Sequence, residues 1–351
     1  MSRYLLVDIG AGTMDILCVD ESVKQPYKAV VRSPVLTVLD SIESSPGHLL
    51  LTGVEMGGGP IAGVLRRRAQ KNKVVVSASA AATLNHDLEK VAAWGIQVVD
   101  DATAEKMKAD AAYTHIRLAD LDVQRLESIV GGFGVPFAFD TVGICAQDHG
   151  VAPSGVSHLD YRHNLFAELL DRDPRVHVLL YERREVPEKM NRLRSIAESA
   201  GALPTQQIYV MDSGMAAILG ASLDRSAEGK ERIVILDVAT SHTVGAALLG
   251  DEIASFFEYH TSDVTPERLE SLVRNLADGK LRHREILAEG GHGAYTRKTI
   301  EYAAVEAIIA TGPKRKIAAA SRLDLTWGAP MGDNMMTGTA GLLEAIQRRN
   351  R

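Results

Sequence analysis

Two segments of the chain begin with the same succession of strand, turn and strand. In residues 4–20 the pattern indicates a buried strand, a glycine-rich turn and a second, alternating strand, and residues 232–257 start in the same way. Between them, residues 73–150 alternate short apolar runs with helical patterns, which is typical of an α/β protein. Two halves built on the same start predict two lobes whose turns face each other across a cleft.

The length of the chain also favours two lobes. At 351 residues it exceeds the size at which one hydrophobic core usually stops growing. The polar segment 224–231 is the best candidate boundary. We therefore predict a first lobe over 1–227, which carries a large α/β insertion, and a second lobe over 228–351.

Charge and composition exclude several classes of protein. The formal charge of −6 gives no basic footprint for nucleic acid, and the one dense basic run, at 66–68, fits a solvated helix end. The N-terminal residues enter a strand directly and nowhere do eighteen apolar residues run together. Two cysteines are too few for a disulfide framework. We expect a cytoplasmic protein that binds neither nucleic acid nor membrane.

The first turn carries residue types that suit phosphate and magnesium. Asp8 stands at the end of the strand and is followed by Gly10, Gly12 and Thr13. Small residues let backbone N–H groups approach phosphate oxygens, the Thr13 hydroxyl can hydrogen-bond them, and Asp8 can hold Mg²⁺ through its water shell. A plain hairpin turn can carry the same short string, so its meaning depends on the rest of the chain.

Four further segments give that string its context. They are a helix start at 212–217, a second turn at 237–243, an Ala-Thr-Gly-Pro stretch within 308–313 and a small-residue helix at 337–343. In this order they resemble the connecting helix, second phosphate hairpin, adenosine loop and last connecting helix of the actin, Hsp70 and sugar-kinase superfamily. The resemblance implies a two-lobed actin-like ATPase fold, a duplicated ribonuclease H-like architecture with a central cleft.

The resemblance also implies cofactors and roles for particular residues. The cofactors are ATP and Mg²⁺, with Asp8 and Asp237 as the metal-facing carboxylates and Asp212 positioning the attacking water or hydroxyl group. Further contacts to the nucleotide come from Thr240, Ser241, Thr243, Thr311 and Gly312. The alternative for Asp212 is an ordinary helix N-cap.

Two departures from the superfamily pattern affect the nucleotide site. Ala239 and Ser241 replace glycines of the second hairpin, so the backbone approaches phosphate less closely. Pro313 replaces a glycine of the adenosine loop and removes one N–H donor. These departures leave the hydrolysis of ATP an open question.

A second group of polar residues follows the strand that ends near residue 147. Asp148 and His149 stand at its carboxyl end, where ligands lie in α/β folds. We predict a catalytic role for this pair, with substrate contacts, acid–base chemistry and metal ligation all left open. The alternative for any one histidine is a turn residue with local hydrogen bonds. Other residues of this kind are His158, Arg162, His163, His242, His260 and His292.

The two cysteines raise a further alternative. Some members of the superfamily hold an iron–sulfur cluster between two subunits, which would use Cys18 and Cys145. Because Cys18 lies in the middle of a strand on its inward face, a buried structural thiol is the favoured interpretation.

The leading functional hypothesis is ATP-dependent phosphoryl chemistry, as an ATPase or a small-molecule kinase. The whole chain also resembles a family labelled as related to pyruvate formate-lyase activation, but a radical-SAM activator needs a three-cysteine motif that this sequence lacks. One alternative is an ATP-driven helper that repairs a metalloenzyme or corrinoid protein client, and another is a non-catalytic binding module. The expected partner is a small-molecule substrate or a protein client, and a homodimer is left open.

Overall fold

The computed structural model describes residues 2–153 and 155–351. The chain opens with the predicted antiparallel hairpin, in which two largely buried strands flank a glycine-rich turn, and a third strand pairs with the second to complete a meander. Its strands are β1 (Arg3–Ile9), β2 (Thr13–Asp20) and β3 (Tyr27–Arg32).

The predicted α/β insertion follows the meander. Its elements are α1 (Pro34–Ser44), β4 (His48–Gly53), α2 (Ile61–Ala69), β5 (Val74–Ser77), α3 (Ala78–Ala81), α4 (Leu88–Ala93), β6 (Gln97–Val99), α5 (Asp101–Met107), β7 (Tyr113–Leu118) and α6 (Val123–Gly131). The strands form a parallel sheet in the order β6-β5-β4-β7. Leu49, Leu51, Val74 and Val76 are buried in a core of its own, so the insertion is a separately packed unit.

The chain then returns to the first sheet. The returning elements are β8 (Phe139–Ala146), α7 (His158–Arg172), β9 (Leu180–Glu182), α8 (Asn191–Ala200), β10 (Thr205–Met211) and α9 (Ser213–Ala221). The finished sheet has the order β3-β2-β1-β8-β10-β9. The sequence predicts a strand over 176–181, but Val176–Leu179 form a 3₁₀ helix before β9 begins. Val176 and Leu179 are both buried, and this spacing of three suits a 3₁₀ turn.

The second lobe is built on a separate sheet. Its elements are β11 (Arg232–Val238), β12 (His242–Leu249), β13 (Glu252–His260), α10 (Pro266–Ala277), α11 (His283–Ala288), β14 (Gly293–Thr296), β15 (Ala307–Thr311), β16 (Leu325–Trp327) and α12 (Thr337–Arg349). The strand order is β14-β13-β12-β11-β15-β16.

The two large sheets repeat one topology. In each, an antiparallel meander of three strands is followed by two strands that run parallel to the first: β8 and β10 in the first sheet, and β15 and β16 in the second. The turns that follow β1 and β11 therefore occupy equivalent places. This duplication confirms the repeat that the sequence indicates.

Two helices cross tightly between the lobes. A methyl group added to Gly341 of α12 would lie 1.9 Å from the carbonyl oxygen of Ala216 in α9, and one added to Gly220 would lie 1.8 Å from that of Thr337. Glycine therefore allows the two backbones to touch. Although α12 lies in the predicted second lobe, its buried Leu342 and Ile346 pack with the core of the first sheet.

Within the described residues, no helix combines the length and the apolar character that crossing a membrane requires.

Candidate functional site

A cavity of about 640 Å³ lies where the two turns, the insertion and a group of histidines meet. One wall is formed by the turns after β1 and β11, with Gly312 and Gly338 beside them. A second wall comes from the insertion, through residues 55–60 and 82–86. The third wall holds His149, His242, His260 and His292. The volume is in the range of small-molecule sites.

The two turns have the same hydrogen-bonded geometry. The N–H of Gly10 donates to the carbonyl of Thr13 at 2.9 Å, and the N–H of Ala239 donates to that of His242 at 3.1 Å. In each turn an aspartate, Asp8 or Asp237, stands two residues before the donor. The equivalence pairs Thr13 with His242 rather than with Thr243.

Ser33 holds the first turn in place. Its hydroxyl donates to the carbonyl of Gly10 at 2.6 Å, and its N–H donates to the carbonyl of Gly12 at 3.1 Å. Ser33 is fully buried and also caps α1. This role could not be predicted from the sequence, because Ser33 is distant from the turn along the chain.

Three carboxyl groups face the turns with raised pKa values. Burial raises the pKa of Asp8 to about 7, with a contribution from the charge of Asp237. Burial also raises the pKa of Asp237 to about 6, although Thr311 donates a hydrogen bond to it at 3.1 Å. Asp15, opposite Asp8 in the β1–β2 pair, has its pKa raised to about 8 by burial and by the charge of Asp8. Buried Oδ1 atoms of Asp8 and Asp15 have no hydrogen-bond partner, so a cation would fit here.

The structure brings most of the predicted nucleotide contacts to the cavity. Those that line it are Asp8, Gly10, Thr13, Asp237, Thr240, Ser241 and Gly312. Gly12 is not among the lining residues, and it packs against the second turn, since a methyl group there would lie 2.9 Å from Thr240 Oγ1.

Two of the predicted contacts are turned away from the cavity. Thr243 is fully buried on β12 and its hydroxyl pairs with that of Thr261 at 3.0 Å. Thr311 is also fully buried, and it orients Asp237. The predicted direct contacts of Thr243 and Thr311 with the nucleotide therefore require correction: the first supports the core and the second positions a carboxylate.

Asp212 occupies a structural position at the start of α9. Its Oδ1 accepts hydrogen bonds from the N–H groups of Gly214 and Met215 at 3.1 and 3.3 Å. Its Oδ2 accepts one from Arg162 at 2.9 Å, and only 1% of the residue is exposed. Both oxygens are engaged and the residue is not part of the cavity lining, so this geometry favours the N-cap over the predicted catalytic role.

Asp148 and His149 are adjacent in sequence, but their side chains contact different parts of the molecule. Asp148 accepts from the N–H of Gly150 at 2.7 Å and from that of Leu193 in α8 at 2.9 Å, so its carboxylate holds the turn together. Burial raises its pKa to about 6. His149 points instead toward the histidines of the second lobe. The predicted catalytic pair is therefore not a hydrogen-bonded pair in this structure.

A buried arginine connects the two lobes. Arg162 of α7 donates to Asp212 at the end of the first sheet and to Glu258 of β13 in the second lobe. The three side chains are 6%, 2% and 3% exposed. Burial alone would raise the pKa of Glu258, but Arg162 holds it well below its usual range. Glu258 was missed in the sequence because it lies within an apolar strand.

Three histidines converge on Glu258. We name His149, His242, Glu258 and His292 the histidine–glutamate cluster, whose ligand atoms all lie within 4.8 Å of one another. The ring centres of His242 and His292 are 4.7 Å apart, and His260 Nε2 lies 3.0 Å from His292 Nε2. Burial lowers the pKa of His149 to about 3 and that of His242 to about 4, which keeps these imidazoles neutral.

The insertion contributes a further polar wall. Glu55 pairs with His86 at 2.9 Å and also accepts from Asn191 of α8. The hydrogen bond to Glu55 raises the pKa of His86. Arg192 is bound by Asp120 of the insertion at 2.7 and 2.9 Å. These contacts tie the insertion to the first sheet.

Cys18 and Cys145 are both buried and free. Burial raises the pKa of Cys18 to about 12, so this thiol stays protonated. The geometry supports the structural interpretation of both thiols.

The repeated topology and the facing turns define the two-lobed actin-like ATPase fold with a central cleft, as predicted. Residues 56–317 match the profile of the family described as "Putative pyruvate format-lyase activating enzyme (DUF1786)", and the chain belongs to this family. No curated protein matches the sequence.

Three solved structures are similar to this chain at low sequence identity. MreB5 of Spiroplasma citri bound to ADP is 9% identical over 100% of this chain and 98% of its own, with a TM-score of 0.36. An inorganic polyphosphate/ATP-glucomannokinase from Arthrobacter sp. strain KM is 12% identical over 99% and 100%, with a TM-score of 0.35. A ROK family glucokinase from Streptomyces griseus, in complex with glucose and AMPPNP, is 12% identical over 98% and 99%, with a TM-score of 0.34.

Proposed function

We propose that this protein binds ATP with Mg²⁺ in the cavity and transfers the terminal phosphoryl group. The observation that carries the proposal is the pair of equivalent turns, each preceded by an aspartate that faces the same cavity. Phosphoryl transfer depends on positioning and charge neutralisation more than on covalent help, and a duplicated turn supplies positioning from both sides.

The charges in the cavity support a requirement for a cation. The carboxylates near the turns are Asp8, Asp15 and Asp237. Among the described lining residues Arg192 is the only arginine or lysine, and its charge is paired with that of Asp120. A polyphosphate would be repelled by the carboxylates alone. Mg²⁺ bound through Asp8 and Asp237 would neutralise the phosphates and polarise the bond that breaks.

The remaining groups at the turns bind and orient phosphate oxygens. The hydroxyl groups of Thr13, Thr240 and Ser241 are the side-chain donors that line the cavity there. Gly338 at the start of α12 leaves space beside Asp8, because a methyl group would lie 2.0 Å from Asp8 Oδ2. A side chain at position 338 would therefore collide with this carboxylate.

We assign the acceptor to the wall that the insertion forms. Glycines 57–59 line the cavity there, and the Glu55–His86 pair offers an imidazole whose pKa is raised by its carboxylate partner. Such a pair can accept the proton of an attacking hydroxyl group. We therefore favour a small hydroxylated acceptor over water, and we propose a cytoplasmic reaction because ATP is supplied there.

Calorimetry and a transfer assay test this function. We expect micromolar binding of ATP in the presence of Mg²⁺, and a loss of at least about tenfold in Asp8→Asn and Asp237→Asn. The matched control is Asp110→Asn, which alters an exposed aspartate of the insertion and leaves binding unchanged. No binding of ATP or ADP to the wild-type protein would remove the proposal.

A further inference from the structure

The histidine–glutamate cluster has the dimensions of a metal site. Its four ligand atoms all lie within 4.8 Å of one another. Atoms bonded to one zinc-sized ion at about 2.0–2.2 Å lie up to about 4 Å apart across the ion. Small side-chain rotations therefore bring all four atoms onto a single ion.

The ligands come from separate parts of the chain. His149 follows β8 of the first sheet, whereas His242 begins β12, Glu258 lies in β13 and His292 directly precedes β14. The ring centre of His149 lies 5.7 Å from that of His242 and 5.6 Å from that of His292. These groups are far apart along the chain, so the packing of the two lobes brings them together.

Two nitrogen atoms in the cluster lack partners. His242 Nε2 and His292 Nδ1 are buried without a hydrogen bond to any of the described residues, and the His292 side chain is only 7% exposed. His292 Nδ1 lies 3.4 Å from Glu258 Oε1 without forming a hydrogen bond. Buried polar atoms normally have partners, and a bound ion would satisfy both of these.

Outer contacts orient the ligands in the manner of metal sites. Coordination through Nδ1 of His292 leaves its Nε2 to hydrogen-bond to His260 at 3.0 Å. Arg162 and Gln147 both donate to the carboxylate of Glu258 and fix its orientation. The positive charge of Arg162 is offset by Asp212, so it does not exclude a cation.

We propose that His149, His242, Glu258 and His292 bind one divalent transition-metal ion of the zinc class. Three imidazoles and one carboxylate suit Zn²⁺, Fe²⁺, Co²⁺ or Ni²⁺, whereas Mg²⁺ prefers oxygen ligands only. This site is therefore separate from the carboxylates at the turns. All three histidines of the cluster line the cavity, so a substrate oxygen can reach the ion from the cavity.

The site joins the lobes. Because one ligand belongs to the first lobe and three belong to the second, the bound ion holds the two lobes in the arrangement that this structure shows. This inference does not depend on the binding of ATP.

Metal titration of the full-length protein, purified without a histidine tag and stripped with a chelator, tests the site. We expect one equivalent of Zn²⁺ or Co²⁺ per chain, and with Co²⁺ the visible absorption of a four-coordinate site. His242→Asn and His292→Asn weaken binding by about 100-fold or more, and His260→Asn by about 10-fold to 100-fold. Circular dichroism verifies that each variant folds.

Two controls separate this site from others. His48→Ala removes an exposed histidine of the insertion and leaves one equivalent bound. Asp8→Asn is expected to retain the transition-metal ion at the histidine–glutamate cluster while its affinity for Mg²⁺-ATP falls. Loss of one site therefore leaves the other intact. Less than about 0.1 equivalent on the wild-type protein, or equal binding by wild type, His242→Asn and His292→Asn, would overturn the proposal.

Discussion

Replacing Arg162 by methionine removes the one cation that joins Asp212 to Glu258. The substitution leaves two carboxylates buried, each at most 3% exposed, in place of a hydrogen-bonded ion triad. Breaking a buried pair from one side costs about 3–5 kcal/mol, because the remaining charge is not compensated. Asp212 keeps its N–H donors from α9 and Glu258 keeps Gln147, so we expect a loss of stability near the lower value, about 3 kcal/mol.

Urea unfolding followed by circular dichroism at pH 7 measures this loss. The control is Arg172→Met, which changes an exposed arginine on the same helix and is expected to alter stability by less than about 0.5 kcal/mol. A loss of about 3 kcal/mol corresponds to a fall of roughly 4 °C in the melting temperature of a 351-residue chain, because the entropy of unfolding is about 2.1 cal/mol/K per residue. If Arg162→Met proved as stable as the wild type, the guanidinium would not be compensating the two carboxylates and the reasoning would fail.

Three further predictions concern the cavity and the helix crossing. Gly341→Ala should destabilise the protein by about 1–3 kcal/mol in urea unfolding, despite the higher helix propensity of alanine, because the methyl group meets the carbonyl of Ala216. Gly338→Ala should weaken Mg²⁺-ATP binding about tenfold in calorimetry, since its methyl group meets Asp8; unchanged affinity would place the nucleotide elsewhere. The pKa of Asp15 is raised from 3.8 to about 8, so its contribution to stability is full below pH 3.8 and is lost as pH rises through 8. Without Mg²⁺, Asp15→Asn should therefore be more stable than the wild type at pH 9, on the order of 5 kcal/mol, and not at pH 4.

The duplicated strand-turn-strand arrangement of the two lobes could be predicted from the sequence. The first hairpin, the second hairpin, the strand at 307–311 and the last helix all stand where the patterns predict them, because each is an apolar run bounded by small or polar residues. Local chemistry determines such elements.

Residues that act through tertiary contacts could not be located in the same way. Glu258 lies in an apolar strand, and its partners come from α7 and from the loop before β14. Thr243 is predicted as a nucleotide contact because the resemblance places it in the second hairpin, but its position on β12 turns it into the core. The sequence suggested histidines as ligands, but which of them meet depends on the packing of both lobes.

The most direct test of the phosphate site is a crystal structure with ADP and Mn²⁺, in which the anomalous signal identifies the ion. We expect phosphate density between the turn after Asp8 and the turn after Asp237, with Mn²⁺ on the side of these two carboxylates. Phosphate bound outside the two turns, or an ion bound away from both aspartates, would contradict it.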